Sequence, residues 1–439
     1  MGVSYRRALK PYAILLLLFF PGDGAADGNA GRWHVMGYGT LGLNADDGHP
    51  KASFIRDITQ REQDSSTTSS LITDDAWKRD TRLGLQVVFQ VTPTVSVVSQ
   101  GVLRDQVSSK LTHYIDWTFL AFNPVPEVDA RIGRVGYDVF LMSEQRNLGY
   151  SYPWVRPPVE FYGWVPLYSV DGGDLAYNLT NQGSRWRFKI QGGSSPGLGV
   201  PIDRDDIFYV TSDKIFSATV TREQGPWQLK VGYSYVNVSS EADPLEFRLG
   251  LFTALDGVAA MDIPTISADA RNLRRQMTWK DSRMNIYTIG MVYDQKDWMV
   301  QAELGKVVSS IDMSMNGTMA YAVVARRLGD WTPFVLVSGI RPGVGVHSAS
   351  IPWGEGLPEG VQGPLNALQA GANQALNSTR MNQETFGLGL RWDANSRVAL
   401  KWQWDATHVR ANSYLLRQSL DVSQDVHVNQ LSVNLDFTF

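Results

Sequence analysis

The last ten residues, Gln430-Leu431-Ser432-Val433-Asn434-Leu435-Asp436-Phe437-Thr438-Phe439, alternate without a break. Leu431, Val433, Leu435, Phe437 and Phe439 fall on one flank of an extended chain, and Gln430, Ser432, Asn434, Asp436 and Thr438 on the other. A period of two is the mark of a strand with one apolar and one polar face. The pattern recurs upstream. Trp186, Phe188 and Ile190 alternate with Arg185, Arg187, Lys189 and Gln191, and Trp227 to Tyr235 alternates with Gln228, Lys230, Gly232 and Ser234. Val398, Leu400, Trp402 and Trp404 interleave with Lys401, Gln403 and Asp405.

About sixteen such segments of roughly 8 to 12 residues are expected, the length of a tilted membrane strand. They fall at 33–44, 80–90, 95–104, 113–122, 128–135, 168–179, 184–191, 213–222, 227–237, 284–294, 298–307, 317–327, 331–340, 382–392, 397–409 and 426–439. Their connections carry the sharper information. Every second one is short: 91–94, 123–127, 180–183, 223–226, 295–297, 328–330 and 393–396. The others are mostly long (45–79, 136–167, 192–212, 238–283, 341–381 and 410–425), with 105–111 and 308–316 as short exceptions. A soluble sandwich has no reason to collect its short links at one end; a transmembrane antiparallel β-barrel has short periplasmic turns and longer outer loops.

Composition agrees. The 439 residues are 43% hydrophobic and 19% charged, rich in glycine (40) and tryptophan (14), and without cysteine. This is too polar for a bundle of membrane helices, and a chain without cysteine cannot rest on disulfides. At the start, Arg6, Arg7 and Lys10 precede an apolar run from Ala13 to Phe20, then Pro21 and Gly24-Ala25-Ala26. That is the layout of a signal peptide over 1–26, leaving 27–439 as the barrel. Cutting after Ala26 removes three bases and Asp23, so the net charge moves from −4 to −6. This mild acidity argues against a nucleic-acid partner.

The face assignment follows from energy. A basic side chain at the bilayer midplane costs about 2–4 kcal/mol, so Arg185, Arg187 and Lys189 must point inward. A slip of one residue would reverse every face. Trp33, Trp227, Tyr235, Tyr287, Trp298, Trp331, Trp392 and Trp404 then lie outward near strand ends, as an interfacial girdle does.

Four places resemble the sixteen-stranded trimeric porins of Gram-negative outer membranes. They are Val35-Met36-Gly37-Tyr38-Gly39 as the opening strand, Arg131-Ile132-Gly133-Arg134 before the third loop, Gly387 to Asp393 with Leu400 to Asp405 as the penultimate hairpin, and the terminal Phe439. The resemblance implies a passive, water-filled channel for small hydrophilic or charged solutes, formed by a homotrimer. It also implies contact with outer-membrane lipid and lipopolysaccharide, Phe439 as the signal read by the barrel-insertion machinery, and a third loop folded into the pore. Here that loop is 136–167. It departs from an acidic, glycine-rich pattern, carrying Asp138, Glu144 and Glu160 but also Arg146 and Arg156, several aromatics, and Pro153, Pro157, Pro158 and Pro166.

The expected constriction sets basic wall residues Arg82, Arg131, Arg185, Arg187 and Lys189 against the loop acids Asp138, Glu144 and Glu160, giving a transverse field that filters by charge. The plainer alternative is that the bases pair with Asp116, Asp129 and Asp174. Inward glycines and small residues favour an open over a plugged interior. Arg271, Arg274 and Arg275 in 238–283 could meet lipopolysaccharide phosphates, and Leu365, Leu368 and Leu376 hint at a lid helix.

No enzyme, cofactor or metal is expected. Gly37-Tyr38-Gly39-Thr40-Leu41-Gly42 fits a dinucleotide fingerprint as a string but opens no helix. The six histidines lack ligand spacing, and no nucleophile-exposing Gly-x-Ser-x-Gly turn is expected. The competing readings are a channel selective for a sugar or organic acid, and an adhesin or receptor barrel without transport.

Overall fold

The computed structural model describes residues 32–47, 56–60, 76–165, 167–195, 197, 199–201, 207–239, 249–349, 352–413 and 424–439. The signal-peptide segment 1–26 and Pro166 lie outside the described residues. Sixteen antiparallel strands close into one barrel. The first seven are β1 (Trp33–Asp46), β2 (Arg82–Thr92), β3 (Val95–Arg104), β4 (Ile115–Val125), β5 (Val128–Gly136), β6 (Ser169–Asn181) and β7 (Ser184–Ser195). A two-stranded ribbon, β8 (Gly199–Pro201) and β9 (Ile207–Tyr209), stands apart from the wall. The barrel resumes with β10 (Ser212–Gln224), β11 (Trp227–Val238), β12 (Arg283–Gln295), β13 (Trp298–Ser309), β14 (Gly317–Arg326) and β15 (Trp331–Pro342). It ends with β16 (Gln383–Asn395), β17 (Val398–Val409) and β18 (Val426–Thr438), and β18 pairs with β1 to close the ring.

Each strand lies within a few residues of its sequence expectation. The strands overrun the apolar alternation at their ends, because ladder hydrogen bonds continue where side chains turn polar. The short links are therefore tighter than expected. Most are two residues long, as in Gln182-Gly183, where both residues take positive φ and form the turn that matches strand twist.

Burial settles the faces. On β18, Leu431 is 51% exposed while Ser432, Asn434 and Asp436 are 0% exposed. A soluble sheet would bury the leucine and wet the aspartate. The outward belt of Leu41, Leu85, Ile132, Leu175, Ile190, Val231, Ile289, Leu304 and Val337 is exposed all around the ring, a surface made for acyl chains. Trp33, Trp227, Trp298, Trp331 and Trp392 sit at the short-turn ends of their strands, all on the exposed face. Closure uses a specific fit. A Cβ on Gly37 would sit 2.2 Å from the Phe439 ring, and one on Gly39 2.4 Å from Phe437, so the two terminal rings lie flat over backbone that only glycine can offer. Phe439 also exchanges backbone hydrogen bonds with Gly37, each at 2.9 Å.

At the end away from the short turns, three helices form a cap: Leu249–Ala259, Pro264–Gln276 and Glu359–Asn377. Leu255, Leu273, Met277, Trp353, Leu365 and Leu376 are its core. The Leu365 and Leu376 spacing is thus a helix, as expected. Arg274 stacks 3.7 Å from the Phe252 ring, Arg271 donates to the Ala259 carbonyl, and Arg275 to Asn272.

Candidate functional site

The third loop runs from β5 to β6 and folds into the barrel. Its apolar side chains, Val139, Phe140, Trp154, Val155, Phe161, Tyr162 and Trp164, are almost wholly buried. They meet an inner wall that the alternation rule does not describe: on β14 and β15 the inward positions are Met319, Tyr321, Val323, Phe334 and Leu336, also buried. Phe161 packs edge-on to Tyr321 with ring centres 5.2 Å apart, and Phe140 edge-on to Phe161 at 5.6 Å. The loop is therefore a hydrophobic plug seated on the apolar half of the lumen. The inward glycines and small residues that favoured an open interior instead make room for it: Gly232 lies against Val139 and Gly290 against Leu141.

The polar half of the wall holds the plug by hydrogen bonds and ion pairs. At the loop root, Arg131 (β5), Lys189 (β7) and Lys230 (β11) meet Asp138, Glu144 and Asp174 (β6). Arg131 reaches Asp174 at 2.5 Å and Glu144 at 3.0 Å, and Lys189 reaches Asp138 at 2.9 Å. Lys189 also lies 3.3 Å from Asp174 and 3.5 Å from Glu144, and Lys230 contacts Asp138 directly. Three cations and three anions make the cluster neutral as a whole. Burial pushes the Asp138 carboxyl up, but Lys189 and Lys230 outweigh it and hold it far below the usual range. Glu144 is lowered in the same way, by Arg131 and Lys189 against its burial.

Across the ring, Arg82 (β2) donates to the Asn147 carbonyl at 2.6 Å and to Tyr152 Oη at 3.0 Å. Lys401 (β17) pairs with Asp436 at 2.8 Å and donates to the Gly149 and Trp154 carbonyls at 2.6 and 3.0 Å. Arg156 forks onto Asp80 (2.6 Å) and reaches Ser432 (2.6 Å). Burial raises Asp80, yet Arg156 wins and holds its carboxyl at about 2. Arg146 packs 3.1 Å over the Tyr168 ring, donates to the Leu167 carbonyl, and is lowered by burial. Glu160 accepts from Ser338, Gln383 and Thr385. Glu303 (β13) accepts from Tyr162 Oη at 2.6 Å and the Leu141 N–H at 2.9 Å.

Of the ten expected charged positions, the structure brings Arg131, Lys189, Asp138 and Glu144 into one cluster. Arg82, Arg146, Arg156 and Glu160 are dispersed around the plug. Arg185 and Arg187 stand apart, near the short-turn mouth, where Arg187 pairs with Asp129 at 2.5 Å and Arg185 lies 3.7 Å from Glu223. The pairings with Asp174 and Asp129 are the plainer alternative realised, and Asp116 takes Arg104 at 2.8 Å. Lys230, Glu303, Lys401 and Asp436 were missed. A single charge on the inward flank is the signal that marks Lys230, Glu303 and Asp436, whereas Lys401 shares its flank with Asp405.

One Gly-x-Ser-x-Gly string does occur, against expectation, at Gly193-Ser194-Ser195-Pro196-Gly197. Ser195 ends β7, its Oγ accepts the Gly197 N–H at 3.1 Å, and a strand follows rather than a helix, so no nucleophile is presented. Ser108 Oγ lies 2.7 Å from His113 Nδ1, and both are buried.

No protein-family model matches the chain, and no curated protein matches it. Solved structures match in fold. The Salmonella typhi OmpF complex with daunomycin aligns over 93% of this chain and 97% of that one, at 11% identity and a TM-score of 0.50. The anion-selective porin from Comamonas acidovorans aligns over 93% and 100%, at 10% identity and 0.48. A mutant of the Rh. blastica porin aligns over 93% and 100%, at 10% identity and 0.45. At such identities the likeness is one of fold, and the fold is the sixteen-stranded porin type.

Proposed function

We propose that this chain is a porin-type channel of the outer membrane, non-enzymatic and trimeric, that passes small hydrophilic or charged solutes. One observation carries the reading. A ring with an acyl-facing belt turns a polar, ion-paired wall inward, and its third loop sits inside that wall. Lipid and lipopolysaccharide surround the belt, and Phe439 serves as the assembly signal. Because inward positions of β12 to β15, β17 and β18 are buried under the loop, this conformation is a closed one, and conduction requires the plug to shift. Arg185 and Arg187, the two bases still open to water at the mouth, are the charge filter; the other eight charged positions latch the plug.

A sealed receptor or adhesin barrel is the second reading, favoured by the filled lumen and the helical cap. Planar-bilayer recording separates the two. Stepwise currents from the reconstituted protein are expected. Silence from a folded, heat-modifiable sample, both as wild type and as Asp138→Asn, overturns the channel.

A further inference from the structure

Between the plug and the β15–β18 wall lies a cavity of about 20 Å³, room for one small ion or a water or two. Its lining is rich in acceptors. Glu160 takes hydrogen bonds on both carboxylate oxygens: Ser338 Oγ at 2.6 Å on one, Gln383 Nε2 at 2.7 Å and Thr385 Oγ1 at 2.6 Å on the other. Thr407 lies 2.8 Å behind Thr385, so a hydroxyl relay also points its hydrogens toward Glu160. All three partners are neutral, and Glu160 is 3% exposed. A buried carboxylate held by neutral donors alone has no counter-charge hydrogen-bonded to it.

A second observation points the same way. The carboxylate accepts from Gln383 Nε2, which fixes which end of that amide is the donor, and Gln383 itself lines the cavity. Gln383 is 1% exposed, and its Oε1 meets no donor. Asp405 adds a carboxylate to the same cavity, one oxygen held by Gln403 at 2.8 Å and the other 3.5 Å from Arg156. Arg156 is the lining cation, but its short bonds go to Asp80, Asn44 and Ser432. The cavity thus pairs two carboxylates with an orphan carbonyl oxygen.

We infer that this cavity is a binding site for one dehydrated monovalent alkali cation, coordinated by Glu160, Gln383 Oε1 and Asp405. Glu160 and Asp405 against Arg156 leave the lining one negative charge in excess, which a single monovalent ion balances, and hard oxygen donors suit such an ion. The ion cements the plug to β16 and β17, and the assignment stands whether or not the barrel conducts.

Crystals of the full chain soaked in thallium(I) acetate test it, with anomalous maps as the readout. A single thallium peak within bonding distance of Glu160 and Gln383 is expected, competed away by sodium or potassium and lost in Glu160→Gln. Gln383→Leu, which keeps the acid, should weaken the peak several-fold. A wild-type map with only water in the cavity at saturating thallium overturns the assignment, and so does a peak that persists undiminished in Glu160→Gln. The wild-type map decides by itself if the Glu160 variant does not fold.

Discussion

Cutting the ionic latch at the loop root should open the barrel without dismantling it. Asp138 is wedged between Lys189 and Lys230, whose side chains are almost wholly buried. Asp138→Asn keeps the shape but turns a neutral cluster into one with a surplus positive charge, shut away from water. Leaving one partner of a buried pair uncompensated costs about 3–5 kcal/mol. At about 1.36 kcal/mol per decade, this lowers the ratio of docked to displaced loop by roughly two to nearly four orders of magnitude. The ring itself is barely touched, since Asp138 belongs to no strand. Single-channel recording in planar bilayers should show open probability rising steeply, while the temperature at which gel mobility shifts changes little. Adding Lys230→Met restores neutrality and should recover most of the closed population. If Asp138→Asn matched wild type in open probability, the latch argument would be refuted. A double variant no better than the single one would show that geometry, not charge balance, holds the loop.

Other consequences can be measured separately. Arg185→Glu with Arg187→Glu should shift the reversal potential in a salt gradient toward cations; an unmoved potential removes both from the filter. Asp80 titrates at about 2 in the fold against about 3.9 when unfolded, so its contribution of about 2.6 kcal/mol is present above pH 4 and lost as pH falls through 2. Acid unfolding of Asp80→Asn should therefore show a flatter pH dependence in that window than wild type, and identical slopes would contradict the Arg156 pairing. Gly37→Val drives a side chain into the Phe439 ring and should cut the yield of heat-modifiable barrel, read on unboiled gels. Leu255→Ala should loosen the cap by about 2–5 kcal/mol, exposing it to limited proteolysis while the barrel's midpoint holds.

The wall was legible because a lipid-bounded strand must show its period of two in every residue, and because turn lengths report which end is which. Trp186, Phe188 and Ile190 sufficed to aim Arg187 and Lys189 inward. The plug was not legible in the same way. Its partners are set by closure of the ring: Lys401 reaches Gly149 and Glu303 reaches Tyr162 across well over a hundred residues, and no local pattern records such a meeting. β14 and β15 add a second reason. Apolar on both flanks, they read as buried strands, and only the structure reveals that what buries them is the loop rather than a second sheet. The charge types at the loop root were visible, but whether opposite charges face each other across water or touch depends on the aromatic bulk that carries the loop to the wall.

A plug with Phe140 and Phe161 at its heart also constrains how the molecule can be made. The ring has to close around it, because the segment is rooted between β5 and β6 and travels with the wall from the moment those strands pair. The third loop must collapse onto the growing wall while β1 and β18 are still apart. Late zipping of those two edge strands then seals it in, and the tightness of the interior becomes a matter of assembly order as much as of equilibrium.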